Sequence, residues 1–527
     1  MTHSFTTAIN NTQQKTWNGA HTLSTPDKTN TSAGLLSLFY SSVRGLNAPR
    51  LFEILNNAIK DNKVDTILLI FHIRDCRNGK GERYLGRLAF SWLFVNYPDD
   101  FLKVFSLIPE YGRWDDLLDL WPSVLDLSKD INIINSNWYS NITSDDLVKL
   151  RKLQINFVKF YAKQLLNDVE KMKNGDDISL CAKWAPTEKD SLDFKHKIVS
   201  LLCKELKLTP RNYRKCITTP LREYLNIVEK LMCTNKWDDI EYSKVPSCAM
   251  KRLKNSFEKH NKSGFEEWKN KLREGKVKVN YKQIFPYELV QEVRNGKYDQ
   301  VSERQWKNLE NKTCEKEFLK DCICVTDVSG SMTFSSSGSS VCPMDVAISL
   351  SLIISNAVKG QFHNNIITFD EKPSFYVIEE NSLDKKVKQI LSAPWGMSTD
   401  IMAVFKLILK SAIIHNLKEY DMPKNIFIFS DMQFNDTNTG KTNFQEIEKE
   451  YKIHNYKRPN IIFWNVNGKT NDYPVSTDSN GTCLISGFSS NIIQALLEGD
   501  SFNCYDIMRR TINNKRYDPI RELLLKS

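Results

Sequence analysis

Cys324-Val325-Thr326-Asp327-Val328-Ser329-Gly330-Ser331-Met332 decides the fold of this chain. An apolar run, Ile323–Val325, ends in Asp-x-Ser-x-Ser, so one carboxylate and two hydroxyls leave the carboxyl end of a buried strand. Open α/β sheets place their ligands at that edge. Outward from it, Ile366–Phe369, Ile426–Phe429 and Ile461–Trp464 are further short apolar runs, alternating with helical segments at 343–358 and 400–415. Near-continuous apolar strands alternating with helices predict a doubly wound, Rossmann-like parallel sheet across residues 321–505.

Two later pieces fit the same edge. Thr399, in Trp395-Gly396-Met397-Ser398-Thr399-Asp400, opens a helix, and Asp431 ends the strand Ile426-Phe427-Ile428-Phe429-Ser430. Hard oxygen donors with few carboxylates suit Mg²⁺ or another divalent cation, which keeps waters and a place for a partner's oxygen. The set resembles the von Willebrand factor A domain and its metal-ion-dependent adhesion site. Carried over residue by residue, that resemblance implies metal ligation by Asp327, Ser329, Ser331, Thr399 and Asp431. Competing motifs fit less well. Asp327-Val328-Ser329 lacks the second Asp of a haloacid-dehalogenase phosphatase, and a Gly-x-Ser-x-Gly elbow would need Gly where Asp327 stands. A sheet edge that keeps the motif without binding metal tightly is the bland alternative. Ser335–Ser340 reads as a flexible or solvated loop beside the site.

Before residue 320 the pattern changes. Leu35, Leu36, Leu38 and Phe39, then Leu51, Ile54, Leu55 and Ile59, then Ile67, Leu68, Ile70 and Phe71, recur at helical intervals. Short polar connections between such segments predict an all-α stack of HEAT-like helical repeats over residues 34–319. Leu221–Met232 reads as one long helix. Residues 1–33, polar and rich in Thr and Asn, read as a disordered tail without a secretory signal. The α/β domain is expected at 320–527.

Arg74-Asp75-Cys76-Arg77-Asn78-Gly79-Lys80-Gly81-Glu82-Arg83 superficially resembles a phosphate loop. However, Gly79-Lys80 is followed by Gly-Glu rather than Ser or Thr, and no apolar strand precedes it. Two readings stand. One is a helix–helix turn with Gly79 or Gly81 as cap and Arg–Asp pairs tying helices. The other is RNA-backbone contact by Arg74, Arg77, Lys80 and Arg83. Tyr111-Gly112-Arg113-Trp114-Asp115-Asp116 is expected to be a packed turn whose acids cap the next helix. Further on, Ser179–Pro186, Tyr213-Arg214-Lys215, the helix Leu221–Met232 and Val245–Met250, with the Trp395–Asp400 segment and Ser430–Phe434, resemble an uncharacterised family of plants, fungi and large DNA viruses. Its members join a helical region to a von Willebrand A-like domain. The layout is also similar to the Ro/TROVE ribonucleoproteins, in which a basic helical ring binds RNA and an A domain closes it.

Composition sharpens this. The 527 residues carry a formal net charge of +10. Residues 320–527 hold 22 Lys+Arg and 23 Asp+Glu, so of the totals of 73 and 63, residues 1–319 hold 51 and 40. All the excess positive charge precedes residue 320, which favours a nucleic-acid partner there. Residues 251–282 hold 11 Lys and Arg against 4 acids, interleaved with Phe257, Phe265, Trp268 and Tyr281. That is the composition of an RNA surface, with Lys269, Lys271 and Arg273 as contacts. It is equally the composition of a solvated helical hairpin with aromatics turned inward.

The 12 cysteines form no CxxC or zinc pattern, which points to buried thiols in a reducing, intracellular setting, whether cytoplasm, nucleus, viral factory or virion. No apolar run approaches the roughly 20 residues of a membrane span. Only 8 histidines occur, none in a nucleophile–base arrangement, and His72 and His363 read as packed side chains. The expectation is a non-enzymatic, Ro-like RNA-binding scaffold whose A domain binds Mg²⁺ and a partner. The alternative is a protein scaffold whose Mg²⁺ site captures an acidic side chain without RNA.

Overall fold

Apolar strands do form at the four predicted places, and each is buried along its length because helices cover it. In the computed structural model the described residues are 13–15, 21–23, 32–125, 144–188, 193, 198–314, 319, 321–334, 341–369, 372–393, 399–434, 443–468, 481–489, 492 and 503–526. They are mostly helical, with a six-stranded mixed sheet toward the carboxyl end. Strands β1 (Gln13–Lys15) and β2 (His21–Leu23) pair antiparallel within the stretch read as a tail. The large sheet comprises β3 (Cys322–Thr326), β4 (Asn365–Thr368), β5 (Phe375–Val377), β6 (Asn425–Ser430), β7 (Asn460–Asn465) and β8 (Thr482–Ser486).

Its order is β5-β4-β3-β6-β7-β8. All neighbours run parallel except β4 and β5, which pair antiparallel through Asn365–Val377 and Ile367–Phe375. The purely parallel sheet expected from the sequence is therefore corrected to a mixed one. β5 escaped notice because it is three residues long, with Phe375 and Val377 exposed on the sheet edge. β8 escaped it because Thr482-Cys483-Leu484-Ile485-Ser486 carries polar ends, although burial is complete.

The chain divides into two compact units. One gathers Met1–Leu85, Pro246–Lys251 and Lys269–Asp518; the other gathers Gly86–Val245, Arg252–Trp268 and Pro519–Ser527. The sheet's unit thus includes the first helices of the chain: α1 (Ala33–Ser41), α2 (Ala48–Asp61) and α3 (Lys63–Arg74). Helix α1 packs on β8, and every residue of α3 from Asp65 to Arg74 is buried. Also in this unit are α4 (Pro286–Arg294), α5 (Gln300–Cys314), α6 (Pro343–Ala357) and α7 (Leu383–Ser392). Helix α6, buried nearly throughout, packs on β3, β4 and β6. Arg294 of α4 pairs with Asp345 of α6 (2.5 Å), and Lys386 of α7 pairs with Glu310 of α5 (2.6 Å).

In the second unit helices range from four residues (Ile108–Tyr111) to 31 (Ser144–Asn174). The single helix expected at 221–232 is two, Thr219–Tyr224 and Val228–Cys233. Asn226 takes φ +45 between them, a left-handed value that ends a right-handed helix. The Tyr111–Asp116 turn packs as expected. Asp116 accepts from the Arg113 N–H (2.8 Å), and Arg87 donates to both Asp115 and Asp116.

Candidate metal centre at the sheet switch point

Chain order explains why the site lies where it does. Strands β3, β4 and β5 progress to one side, and β6, β7 and β8 then progress to the other. The reversal opens between β3 and β6, where doubly wound sheets leave a crevice at the strands' carboxyl ends. Asp327 follows β3 and Asp431 follows β6. Asp327 still pairs across the gap, its N–H donating to the Phe429 carbonyl (3.0 Å). Helix α8 (Ile401–Ile414) begins beside them, with Asp400 as N-cap accepting from the Ala403 N–H (3.0 Å). This fixes the start of α8 directly after Thr399.

The five residues named from the sequence are joined by a short chain of hydrogen bonds. Asp327 Oδ1 accepts from the Ser329 N–H (3.0 Å), and the Ser329 and Ser331 hydroxyls are 3.1 Å apart. Ser331 in turn hydrogen-bonds Asp431. Asp431 Oδ1 accepts from the Gln433 N–H (3.2 Å), and the Gln433 carbonyl accepts from the Thr399 hydroxyl (2.6 Å). Asp327, Ser329, Thr399 and Asp431 are buried, whereas Ser331 is exposed and opens the cluster to solvent. The segments 335–340 and 394–398, which include the expected serine-rich loop and Trp395–Ser398, lie outside the described residues.

Burial raises the Asp327 carboxyl above its ordinary range, opposed by hydrogen bonds from Ser329 and Ser430. Burial, and then the neighbouring Asp327, push Asp431 up to about 7. Two carboxylates forced together in a dry crevice resist sharing negative charge. Ser430, which the sequence reading passed over, donates to Asp327 Oδ2 (2.6 Å) and accepts from the Met432 N–H (3.1 Å). Met432 holds φ +66, a left-handed conformation that costs a non-glycine residue on the order of 1–3 kcal/mol. Its only sequence signal was adjacency to Asp431.

No group of three or more His, Cys, Asp or Glu placed to hold a metal occurs among the described residues. Any cation at this edge would draw on hydroxyls as well as carboxylates. The donor set is all oxygen, which fits a hard divalent ion such as Mg²⁺.

The residues named for RNA separate into two classes. Arg74 and Lys80 are buried, which corrects their assignment: a phosphate cannot reach them. Lys80 Nζ donates to the Phe39 carbonyl, the Ser42 carbonyl (3.0 Å) and the Ser486 hydroxyl (2.8 Å). It thereby stitches the end of α1 to the end of β8, and burial lowers its pKa to about 7. The Arg74–Arg83 segment is thus the helix–helix turn. A Cβ on Gly79 would meet the His72 carbonyl at 2.3 Å, and Gly81 has φ +70. Arg77 and Arg83 are exposed, as are Lys271 and Arg273, while Lys269 is half-buried.

Three of the four aromatic residues interleaved with the second basic stretch turn inward, while Tyr281 is half-buried. Phe257 and Phe265 are fully buried, Trp268 is nearly so, and all three surround Tyr242 at ring-centroid separations of 4.9–5.6 Å. The Trp268 indole donates to the Ser243 hydroxyl (3.0 Å). These rings form a core and are not available to stack on bases.

Comparison with known proteins divides the chain near residue 320. Residues 134–319 match the domain of unknown function DUF2828, and residues 321–521 match the domain of unknown function DUF7788. The uncharacterised protein L728 of Acanthamoeba polyphaga mimivirus is 29% identical over 517 residues, covering 93% of this chain and 86% of its own. The crystal structure of the Deinococcus radiodurans Ro (RSR) protein aligns with 92% of this chain and all of its own, at 11% identity and a TM-score of 0.37. The chain is thus similar to two domain families of unknown function in succession, and over most of its length to a mimivirus protein.

Proposed function

We propose that this protein is a non-enzymatic scaffold whose sheet domain is von Willebrand factor A-like and holds Mg²⁺ at Asp327, Ser329, Ser331, Thr399 and Asp431. One observation carries the reading: two buried carboxylates from the strands flanking the switch point face the same hydroxyl cluster. A divalent cation relieves their repulsion and uses the hydroxyl oxygens. Because Mg²⁺ keeps exchangeable waters, a carboxylate from an acidic protein partner would replace one of them at the exposed Ser331 side. Among the described residues, nothing at this edge resembles a nucleophile–base pair. The two histidines weighed from the sequence are occupied elsewhere, His72 beside Tyr517 (3.0 Å) and His363 beside the Val358 carbonyl (2.9 Å).

Thermal unfolding with Mg²⁺ and then EDTA tests the assignment. Mg²⁺ is expected to raise the melting temperature of the wild-type chain and leave Asp327→Ala unmoved. An equal Mg²⁺ response in both proteins would remove the metal site.

A second reading, RNA held by a HEAT-like helical region in the manner of the Ro/TROVE layout, has its own support. Lys271 and Arg273 are exposed at the end of the helix Lys262–Arg273. Without accessible aromatic rings there, backbone contact dominates and binding should fall steeply with salt. Reversing Lys271 and Arg273 to Glu should weaken RNA retention and flatten that salt slope. If the purified chain retains no RNA at low salt, this reading is lost and the protein-scaffold reading stands alone.

A further inference from the structure

We infer that Ser430 determines which ion the switch-point site accepts, by occupying the second oxygen of Asp327. The inference rests on the cation reading above and adds a residue that lies outside the ligand set.

The hydroxyl of Ser430 has one proton and two neighbours. Met432 contributes an N–H at 3.1 Å, which the hydroxyl oxygen accepts, so its proton goes to Asp327 Oδ2 at 2.6 Å. The other oxygen of Asp327 accepts from the Ser329 N–H at 3.0 Å. Both oxygens of this buried carboxylate are held from fixed directions, one by a backbone amide and one by a hydroxyl anchored to the Met432 turn. Each oxygen keeps a second lone pair for an ion, but chelation through both would crowd the 2.6 Å bond, whereas ligation through Oδ1 alone leaves it undisturbed.

That constraint separates two common hard cations. Ca²⁺ takes about six to eight oxygens and readily uses a carboxylate bidentately, whereas Mg²⁺ takes six in near-octahedral array and accepts one oxygen per carboxylate with waters completing the shell. An Asp327 whose Oδ2 is the more tightly held of its two oxygens leans to one-oxygen ligation, which favours Mg²⁺. The same hydroxyl anchors the turn that presents Asp431. Beyond Met432, Gln433 donates its N–H to Asp431 and accepts the Thr399 hydroxyl proton. Ser430 is thus a positioning residue acting on both carboxylate loops at once.

The test compares Mg²⁺ and Ca²⁺ binding by titration calorimetry in the full chain, with Mn²⁺ electron paramagnetic resonance reporting the symmetry of the site. Partners of metal ligands commonly contribute about 10- to 100-fold in affinity. Ser430→Ala should lose about ten-fold or more in Mg²⁺ affinity while Ca²⁺ affinity holds or rises. The preference should collapse, and the Mn²⁺ spectrum should broaden. Ser430→Thr, which keeps the hydroxyl, should restore both. Should Ser430→Ala fail to fold, Ser430→Cys, similar in size but a weak donor, should shift the preference in the same direction. A wild-type chain that binds neither ion would overturn the cation reading itself. A wild-type chain that binds Mg²⁺ while the Ala or Cys variant keeps the same Mg²⁺-to-Ca²⁺ ratio would overturn the role of Ser430 alone.

Discussion

His72 lies on α3, fully buried, with Nδ1 3.0 Å from the Tyr517 hydroxyl and its ring stacked on Phe39. Burial, then the nearby positive charge of Lys80, lower its pKa to about 3, with Asp75 opposing. An unfolded chain takes up this proton from about pH 6.5 downward, whereas the folded chain refuses it until about pH 3. Stability from this group is therefore complete above pH 6.5 and declines as pH falls toward 3. By pH 5 the loss is on the order of 2 kcal/mol, from roughly 1.4 kcal/mol per unit. Urea unfolding at pH 7 and pH 5 should show His72→Phe losing less between the two than wild type does. Equal losses would mean another group carries the acid sensitivity. At the switch point, Asp327, Ser329, Ser331, Thr399 and Asp431 could be picked out because each occupies a motif position. Ser430 could not, because its role depends on which side of the β3–β6 gap its hydroxyl faces.

Among elements, the turn after α3 is the most heavily committed. Asp75 is fully buried and accepts from the N–H groups of Arg77 (3.0 Å) and Asn78 (3.3 Å), which shapes the turn. Arg516 reaches the same carboxylate with two bonds, at 2.5 and 2.9 Å. Removing one partner of a buried pair leaves an uncompensated charge, typically at about 3–5 kcal/mol. Arg516→Met should therefore cost about that much in urea unfolding, and adding Asp75→Asn should recover part of it. Additive losses would show that the pair does not couple. A string that read as a possible phosphate binder is here a device that joins positions 441 apart in sequence. Periodicity located α1, α2, α3 and four of the six strands of the large sheet because burial of one face or of both leaves a regular apolar signal. It missed β5, too short to show a period, and it ran through the break at Asn226, where one backbone angle outweighs helical propensity.

Across the whole molecule, the charge step at residue 320 coincides with the junction of the two family matches, at 319 and 321. The compact units cut across that junction, since residues 1–85 belong with the sheet. Helix α1 covers part of β8, and Lys80 ties that helix to Ser486. A chain limited to residues 320–527 would lack these groups and expose apolar surface that α1 to α3 now bury. It should melt well below the full chain or aggregate, as followed by circular dichroism and light scattering. A fragment as stable and monodisperse as the whole would show that α1–α3 contribute nothing to the sheet's stability.

What the amino-acid order determined by itself was local: buried strands, amphipathic helices, and the carboxylate and hydroxyls that follow β3. Such signals survive in one dimension because hydrophobic burial and strand or helix periodicity act over a few residues. Tertiary structure alone decided which cations face water and which are structural. Arg74 and Lys80 are enclosed while Arg77 and Arg83 of the same ten-residue string are exposed. It also decided that Phe257, Phe265 and Trp268 close a core, and that Ser430 meets Asp327 across 103 positions. Burial and long-range hydrogen bonds depend on which segments come together in space, and that is settled only when the sheet and the helices packed on it have closed.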